Sequence, residues 1–197
     1  MKRISVRREL QTSAERAFLT YYDRRFEQEL HKAIRAKEVK TLSWEEDDEV
    51  AKGTLLVVVR RRIPEWATRI VGPITPDFTI TDRIDKKKLV HEVMIASVAM
   101  PDRIHGKGRW SIEPGDRPGW VVRVFEGEVH VKLPMVARML EDKLAKTLQS
   151  EFERINDLIA ERIDRDNEAL AQGRPLPPLD LFIQWGDEKY TSSRRVG

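Results

Sequence analysis

From Pro134 onward, Val136, Met139, Leu140, Leu144, Leu148, Phe152, Ile155, Ile159 and Ile163 recur three or four residues apart, which puts an apolar group on the same side of every helical turn. At 1.5 Å per residue, a helix of roughly 30 residues is about 45 Å long and crosses a whole small domain. A stripe of that length has to be covered. A coiled-coil arm is the competing solution, but the spacing does not keep the strict heptad it needs.

The segments upstream supply the cover, because their apolar residues recur with period two. Ile4 and Val6 alternate with Arg3, Ser5 and Arg7 up to Leu10, the first predicted strand. Ser13 then caps a short helix carrying Ala17, Phe18 and Tyr21, and Asp23 caps a second carrying Phe26, Leu30, Ala33 and Ile34. Leu42 and Trp44 lead through a turn at Glu46–Asp48 into Gly53–Val59. Phe78, Ile80 and Ile84 precede a polar turn at Asp85–Lys87 and a strand near Leu89–Ala96. Ile104, Gly106, Gly108, Trp110 and Ile112 share one parity, and the Pro114–Gly119 stretch is a hairpin-loop signal. Glu126-Gly127-Glu128 interrupts the last apolar strand and predicts a bulge there. One strand, two short helices, a run of strands and a long helix do not alternate as βαβ units do, so the expected fold is α+β with an antiparallel sheet.

With 197 residues, 40% of them hydrophobic, the chain has material for one sizeable core and a tail. We expect a domain over 1–165 and a Pro-containing tail over 166–197. Lys and Arg number 36 against 33 for Asp and Glu, a balance that does not predict nucleic-acid binding. The absence of cysteine excludes disulfides, thiolate metal sites and a cysteine nucleophile, and suits a reducing compartment. Charges at Lys2, Arg3, Arg7 and Arg8 leave no apolar core for a secretory signal, and the longest apolar run, Leu55–Val59, is far short of the ~20 residues a transmembrane helix needs. The expected location is cytoplasmic.

No catalytic residue, metal or cofactor is assigned. His31, His91, His105 and His130 are dispersed, and the sequence contains no HExxH, Walker loop, GxGxxG or GxSxG pattern. Gly106-Lys107-Gly108, inside an alternating strand, makes room for packing or a bulge rather than cradling phosphate. Strand parity gives a different kind of candidate. It puts Asp82 with Phe78, Ile80 and Ile84, His91 with Leu89, Val93 and Ile95, and Arg123 with Phe125. Parity turns these three polar groups inward unless a bulge reverses it; the other reading is that all three are exposed or pair with each other. The apolar wall around them is expected from Trp44, Val57, Phe78, Ile80, Trp110, Phe125, Leu140 and Leu144.

Four segments have two readings each. Arg60–Arg62 and Lys86–Lys88 are either solvated loops or contacts for phosphates, anionic lipids or acidic proteins. Ile63, Trp66, Ile70 and Val71 form an amphipathic stretch that either covers the core or acts as a lid or a peripheral membrane contact. LPPLDLFIQW, at 176–185, is too apolar for a free tail, and docks either on its own domain or on a protein partner or second copy.

The element order over 1–165, ending in GEVHVKLPMVARMLEDKLAKTLQSEFERI, resembles the START-like (helix-grip, SRPBCC-type) superfamily, and within it certain uncharacterised bacterial domains. The resemblance implies a curved antiparallel sheet wrapped around the C-terminal helix, with a cavity between them that takes a lipid, sterol, polyketide or other apolar molecule. The implied function is noncatalytic binding of a hydrophobic ligand. The alternatives are an interaction module using the tail, or a START-like cyclase or hydrolase working through Asp82, His91 and Arg123.

Overall fold

The computed structural model describes residues 1–33, 36–59, 77–133 and 136–184. Arg60–Arg62, the amphipathic stretch from Ile63 to Val71, and Trp185 lie outside the described residues.

Strand β1 (Lys2–Leu10) buries Ile4, Val6 and Leu10. Helix α1 (Ala14–Leu19) follows, with the Ser13 side chain accepting from Arg16 N as its cap. A 3-10 turn (Thr20–Tyr22) joins it to α2 (Arg24–Ala33), which starts where Asp23 Oδ1 accepts from Arg25 N at 2.9 Å. The chain then meanders through β2 (Ala36–Glu46), β3 (Val50–Val59), β4 (Phe78–Asp85), β5 (Val90–Ser97), β6 (Ile104–Pro114) and β7 (Val121–Val131), and ends in the long helix α3 (Ala137–Ala171). The seven strands form one curved sheet in the order β1-β7-β6-β5-β4-β3-β2, and every pair is antiparallel. Among the described residues, no helix is long and apolar enough to cross a membrane.

The first and last strands are therefore neighbours, and α3 packs across them. Leu140, Leu144, Leu148 and Phe152 meet Ile4, Val6, Trp110, Phe125, Val129 and Val131. Further along, Ile155, Ile159 and Ile163 close on Leu10, Ala17, Phe26 and Leu30. The helix continues past residue 165 to Ala171 because its last turns are held: Asp166 pairs with Arg16 and, at 3.4 Å, with Arg162.

The bulge expected at Glu126–Glu128 is not there. Strand β7 keeps unbroken register with β1 and β6 through Glu126, Gly127 and Glu128. Gly127 faces Gly108 so that the Phe125 ring can lie over both; a Cβ at Gly108 would stand 2.3 Å from Phe125 Cζ. The register shifts lie instead in the β2–β3 pair, between Ala36 and Glu38 and between Thr41 and Ser43.

Of the basic clusters, Lys86–Lys88 is described, and each lysine is paired. Lys86 meets Glu46 at 2.8 Å, both side chains buried, Lys87 meets Glu49, and Lys88 meets Asp85 at 3.2 Å. The described part of the tail, which ends at Gln184, lies on its own domain, with Leu179, Leu181 and Ile183 buried against Phe18, Leu19, Tyr22 and Ile84.

Candidate ligand-binding site

Curvature leaves an internal space between the meander, the short helices and the middle of α3. Among the described residues this is a cavity of about 490 Å³. Its sheet wall comes from alternate residues of four strands: Leu55, Val57 and Val59 of β3, Phe78, Ile80, Asp82 and Ile84 of β4, His91, Val93 and Ile95 of β5, and Trp110 of β6. Val39, Thr41 and Trp44 extend it on β2. Leu148, Phe152 and Ile155 form the helix wall, spaced by four and three residues as one helical face requires.

Trp44, Val57, Phe78, Ile80, Asp82, His91 and Trp110 thus come together on the lining. Arg123, Phe125, Leu140 and Leu144 do not. Phe125 lies behind the wall, with ring centroids 4.7 Å from Trp110 and 4.3 Å from Phe152. Leu140 and Leu144 sit too early on α3 and pack on the closed end of the sheet with Ile4 and Val131.

Arg123 is buried, its Cζ 3.7 Å over the Trp110 ring, and it donates to Asn156 Oδ1. Desolvation lowers its guanidinium pKa to about 10, against the opposing influence of Tyr21 and Tyr22. It braces Trp110 from behind the cavity wall.

Besides Arg24, Glu27, Thr41, Thr147 and Glu151, the lining carries one buried polar pair. Asp82 and His91 project from neighbouring strands, and His91 Nε2 lies 2.8 Å from Asp82 Oδ1 with both side chains buried. Tyr21 and Tyr22 flank the imidazole, ring centroids 5.8 and 6.0 Å away. Burial, with a smaller contribution from Asp82, pushes the Tyr21 hydroxyl pKa up to about 12, and burial holds Tyr22 well above its ordinary value. His91 Nδ1 and Asn156 Nδ2 are buried and have no hydrogen-bond partner among the described residues. Nor does any group of three or more metal-ligating side chains occur among those residues.

Sequence periodicity does not single out Tyr21, Tyr22 or Phe182 as lining residues. The first two belong to an i, i+3, i+4 face with Phe18 that reads as ordinary helix packing, and Phe182 arrives from the tail. The acidic run at 45–49 likewise hides the buried Glu46, whose carboxylate accepts from Trp44 Nε1 at 3.1 Å and from Gln184 N.

Solved structures share this architecture at low identity. A point mutant of norcoclaurine synthase from Thalictrum flavum is 14% identical over 84% of this chain and 96% of that one, with a TM-score of 0.59. A protein from Thermus thermophilus is 12% identical over 84% and 99%, with a TM-score of 0.57. The fold they share is the helix-grip fold. No curated protein sequence matches the chain. The family model described as "Protein of unknown function (DUF2505)" matches residues 5–163, a span that takes in most of β1, the six strands that follow it and most of α3, and the chain belongs to that family.

Proposed function

We propose that this chain binds a hydrophobic small molecule or lipid without transforming it, in the space between the sheet and α3. The observation that carries the reading is the cavity itself: about 490 Å³, walled mainly by aliphatic and aromatic side chains, with a polar patch at Tyr21, Asp82 and His91 and further polar lining from Arg24, Glu27, Thr41, Thr147 and Glu151. Ligand pockets of ~300–1,000 Å³ have this make-up, an apolar body with a few convergent polar groups. The apolar wall holds the ligand body and the patch orients a hydroxyl or carbonyl. The cysteine-free sequence supports a cytoplasmic setting.

A carboxylate–imidazole pair also suits acid–base chemistry. Here one ring nitrogen is engaged by Asp82 and the other, Nδ1, is buried, so neither is open to exchange a proton with a molecule in the cavity.

Native mass spectrometry of gently purified protein tests the reading, with a co-purifying apolar molecule as the expected result. In parallel, Ile80→Trp, which fills the cavity, is expected to abolish that mass increment while leaving the fold intact. If no molecule co-purifies and the unmodified chain takes up no apolar fluorophore, the proposal fails.

A further inference from the structure

Tyr21, Tyr22, Trp44 and Ile84 line the cavity and also belong to the apolar cluster that buries Leu179, Leu181 and Ile183. The cavity wall and the C-terminal segment therefore share side chains. After α3 the chain turns at Gly173, whose φ of +72° suits a helix end, and returns to the junction between the two short helices. There Leu181 bridges Asp23 in antiparallel fashion. Arg24 N donates to Asp180 O at 2.8 Å, Phe182 N to Tyr22 O at 3.1 Å, and the Arg25 guanidinium to Pro178 O at 2.7 Å. At the far end of this strap Gln184 N donates to Glu46, which Lys86 holds at 2.8 Å.

The chain bends at Phe182 and Ile183. Leu179, Leu181 and Ile183 are buried, whereas Phe182 is half-buried and lines the cavity. Its ring centroid lies 5.5 Å from Tyr22 and 6.3 Å from Trp44, and Tyr22 is 6.0 Å from the His91 imidazole. The strap thus contributes one ring to the cavity beside its buried polar pair, while Leu179, Leu181 and Ile183 pack with the neighbouring wall residues.

Two backbone–backbone hydrogen bonds tie the strap to the domain among the described residues, against a full ladder for each strand of the sheet. A segment held by so few opens at a lower free energy than the sheet beneath it. A molecule in the cavity that touches Phe182 makes that contact only while the strap is docked. Such a contact draws the strap towards the docked state, and by the same factor the docked state binds the molecule more tightly.

We propose that the strap is a ligand-coupled cover: an apolar molecule in the cavity holds it down through Phe182, and its release frees the molecule. The inference rests on the reading of the cavity as a ligand site and adds to it a device that governs exchange of the ligand.

The test uses the full chain with the neutral fluorophore N-phenyl-1-naphthylamine as probe. The double variant Leu179→Ser, Leu181→Ser releases the strap without altering a lining residue. Its probe affinity should fall about tenfold, within the usual range of coupling between sites, with faster dissociation in stopped-flow fluorescence. Leu181→Met, which keeps the apolar contact, should retain the affinity of the unmodified chain. In the unmodified chain, saturating probe should slow deuterium uptake by the strap about tenfold, the reciprocal of the same coupling. A double variant that is folded by circular dichroism, exchanges its strap amides without protection and still binds as the unmodified chain does overturns the coupling and leaves the cavity reading standing. So does an unmodified chain whose strap exchanges equally fast with and without probe, a result that needs no variant to fold. Tighter binding by the double variant also overturns the proposal, because the strap would then compete with the ligand. Absence of probe binding to the unmodified chain overturns both readings.

Discussion

His91 Nε2 lies 2.8 Å from Asp82 Oδ1, and the two groups reach each other diagonally between paired strands, since Asp82 itself faces Val93 and His91 faces Ile84. Each is the other's only hydrogen-bonding partner among the described residues. Removing either one therefore leaves a buried polar atom unsatisfied. Asp82→Ala and His91→Phe should each cost about 1–3 kcal/mol in urea denaturation. Their double mutant should lose less than the sum, with a coupling energy above ~0.5 kcal/mol. Strict additivity would show that the contact contributes nothing.

The Glu46–Lys86 pair is buried on both sides, so breaking it leaves one charge in a poorly hydrated place. Lys86→Met is expected to destabilise by about 3–5 kcal/mol, and a second change, Glu46→Gln, to recover a large part of that loss. Because Glu46 also accepts from Gln184 N, limited proteolysis of Lys86→Met should cut near Arg174 faster than in the parent. Equal cleavage rates would uncouple the strap from this pair.

Gly108 tests the packing account of β7. The Cβ of Gly108→Ala would meet Phe125 Cζ at 2.3 Å, an overlap that forces the ring aside at a cost of about 1–3 kcal/mol. Pairing it with Phe125→Leu should restore part of the stability, read as the midpoint of thermal unfolding. If Gly108→Ala alone is neutral, the close approach of the ring is not what selects glycine.

Alkaline titration reports on the polar patch. The Tyr21 hydroxyl, pushed up to about 12 by burial, ionises later than in the unfolded chain, where the ordinary value is 10.0. Its contribution to stability is complete below pH 10 and is lost as the pH rises towards 12. Unfolding free energy should therefore fall across that interval, and less steeply in Tyr21→Phe. A Tyr21 phenolate appearing at pH 10, followed by its near-ultraviolet absorbance, would contradict the burial of this hydroxyl.

The element order was readable because periodicity is a property of consecutive residues, and β4 and β5 show how far it reaches. Their register is unbroken, so parity alone places Asp82 and His91 on the cavity side. Parity also turns Arg123 inward, but not whether it meets the cavity or stacks behind Trp110; that depends on the side chains of β6 and α3. Leu140 and Leu144 illustrate the same limit on a helix, where the apolar stripe is continuous and only the sheet's curvature decides which turn faces open space. Glu126-Gly127-Glu128 looks like a bulge because charge interrupts an apolar run, whereas the glycine answers to a ring contact with a neighbouring strand. Glu46, Lys86 and Phe182 were hidden for a further reason: each owes its burial to residues far away in sequence, and a charge run or a proline-rich tail gives no local sign of that.

The first strand is also a guard. Along Lys2–Leu10 it saturates the backbone of Val121–Val129 in β7, the strand carrying Val121, Val122, Val124 and Phe125, all buried. Its own outer edge carries Arg3, Arg7, Arg8 and Glu9, exposed charges that make a poor template for another strand. A chain stripped of its first ten residues would lose more than a few contacts. It would offer a long, apolar, unpaired edge to every other copy in solution, and the expected fate is sheet-to-sheet aggregation rather than a slightly weaker monomer.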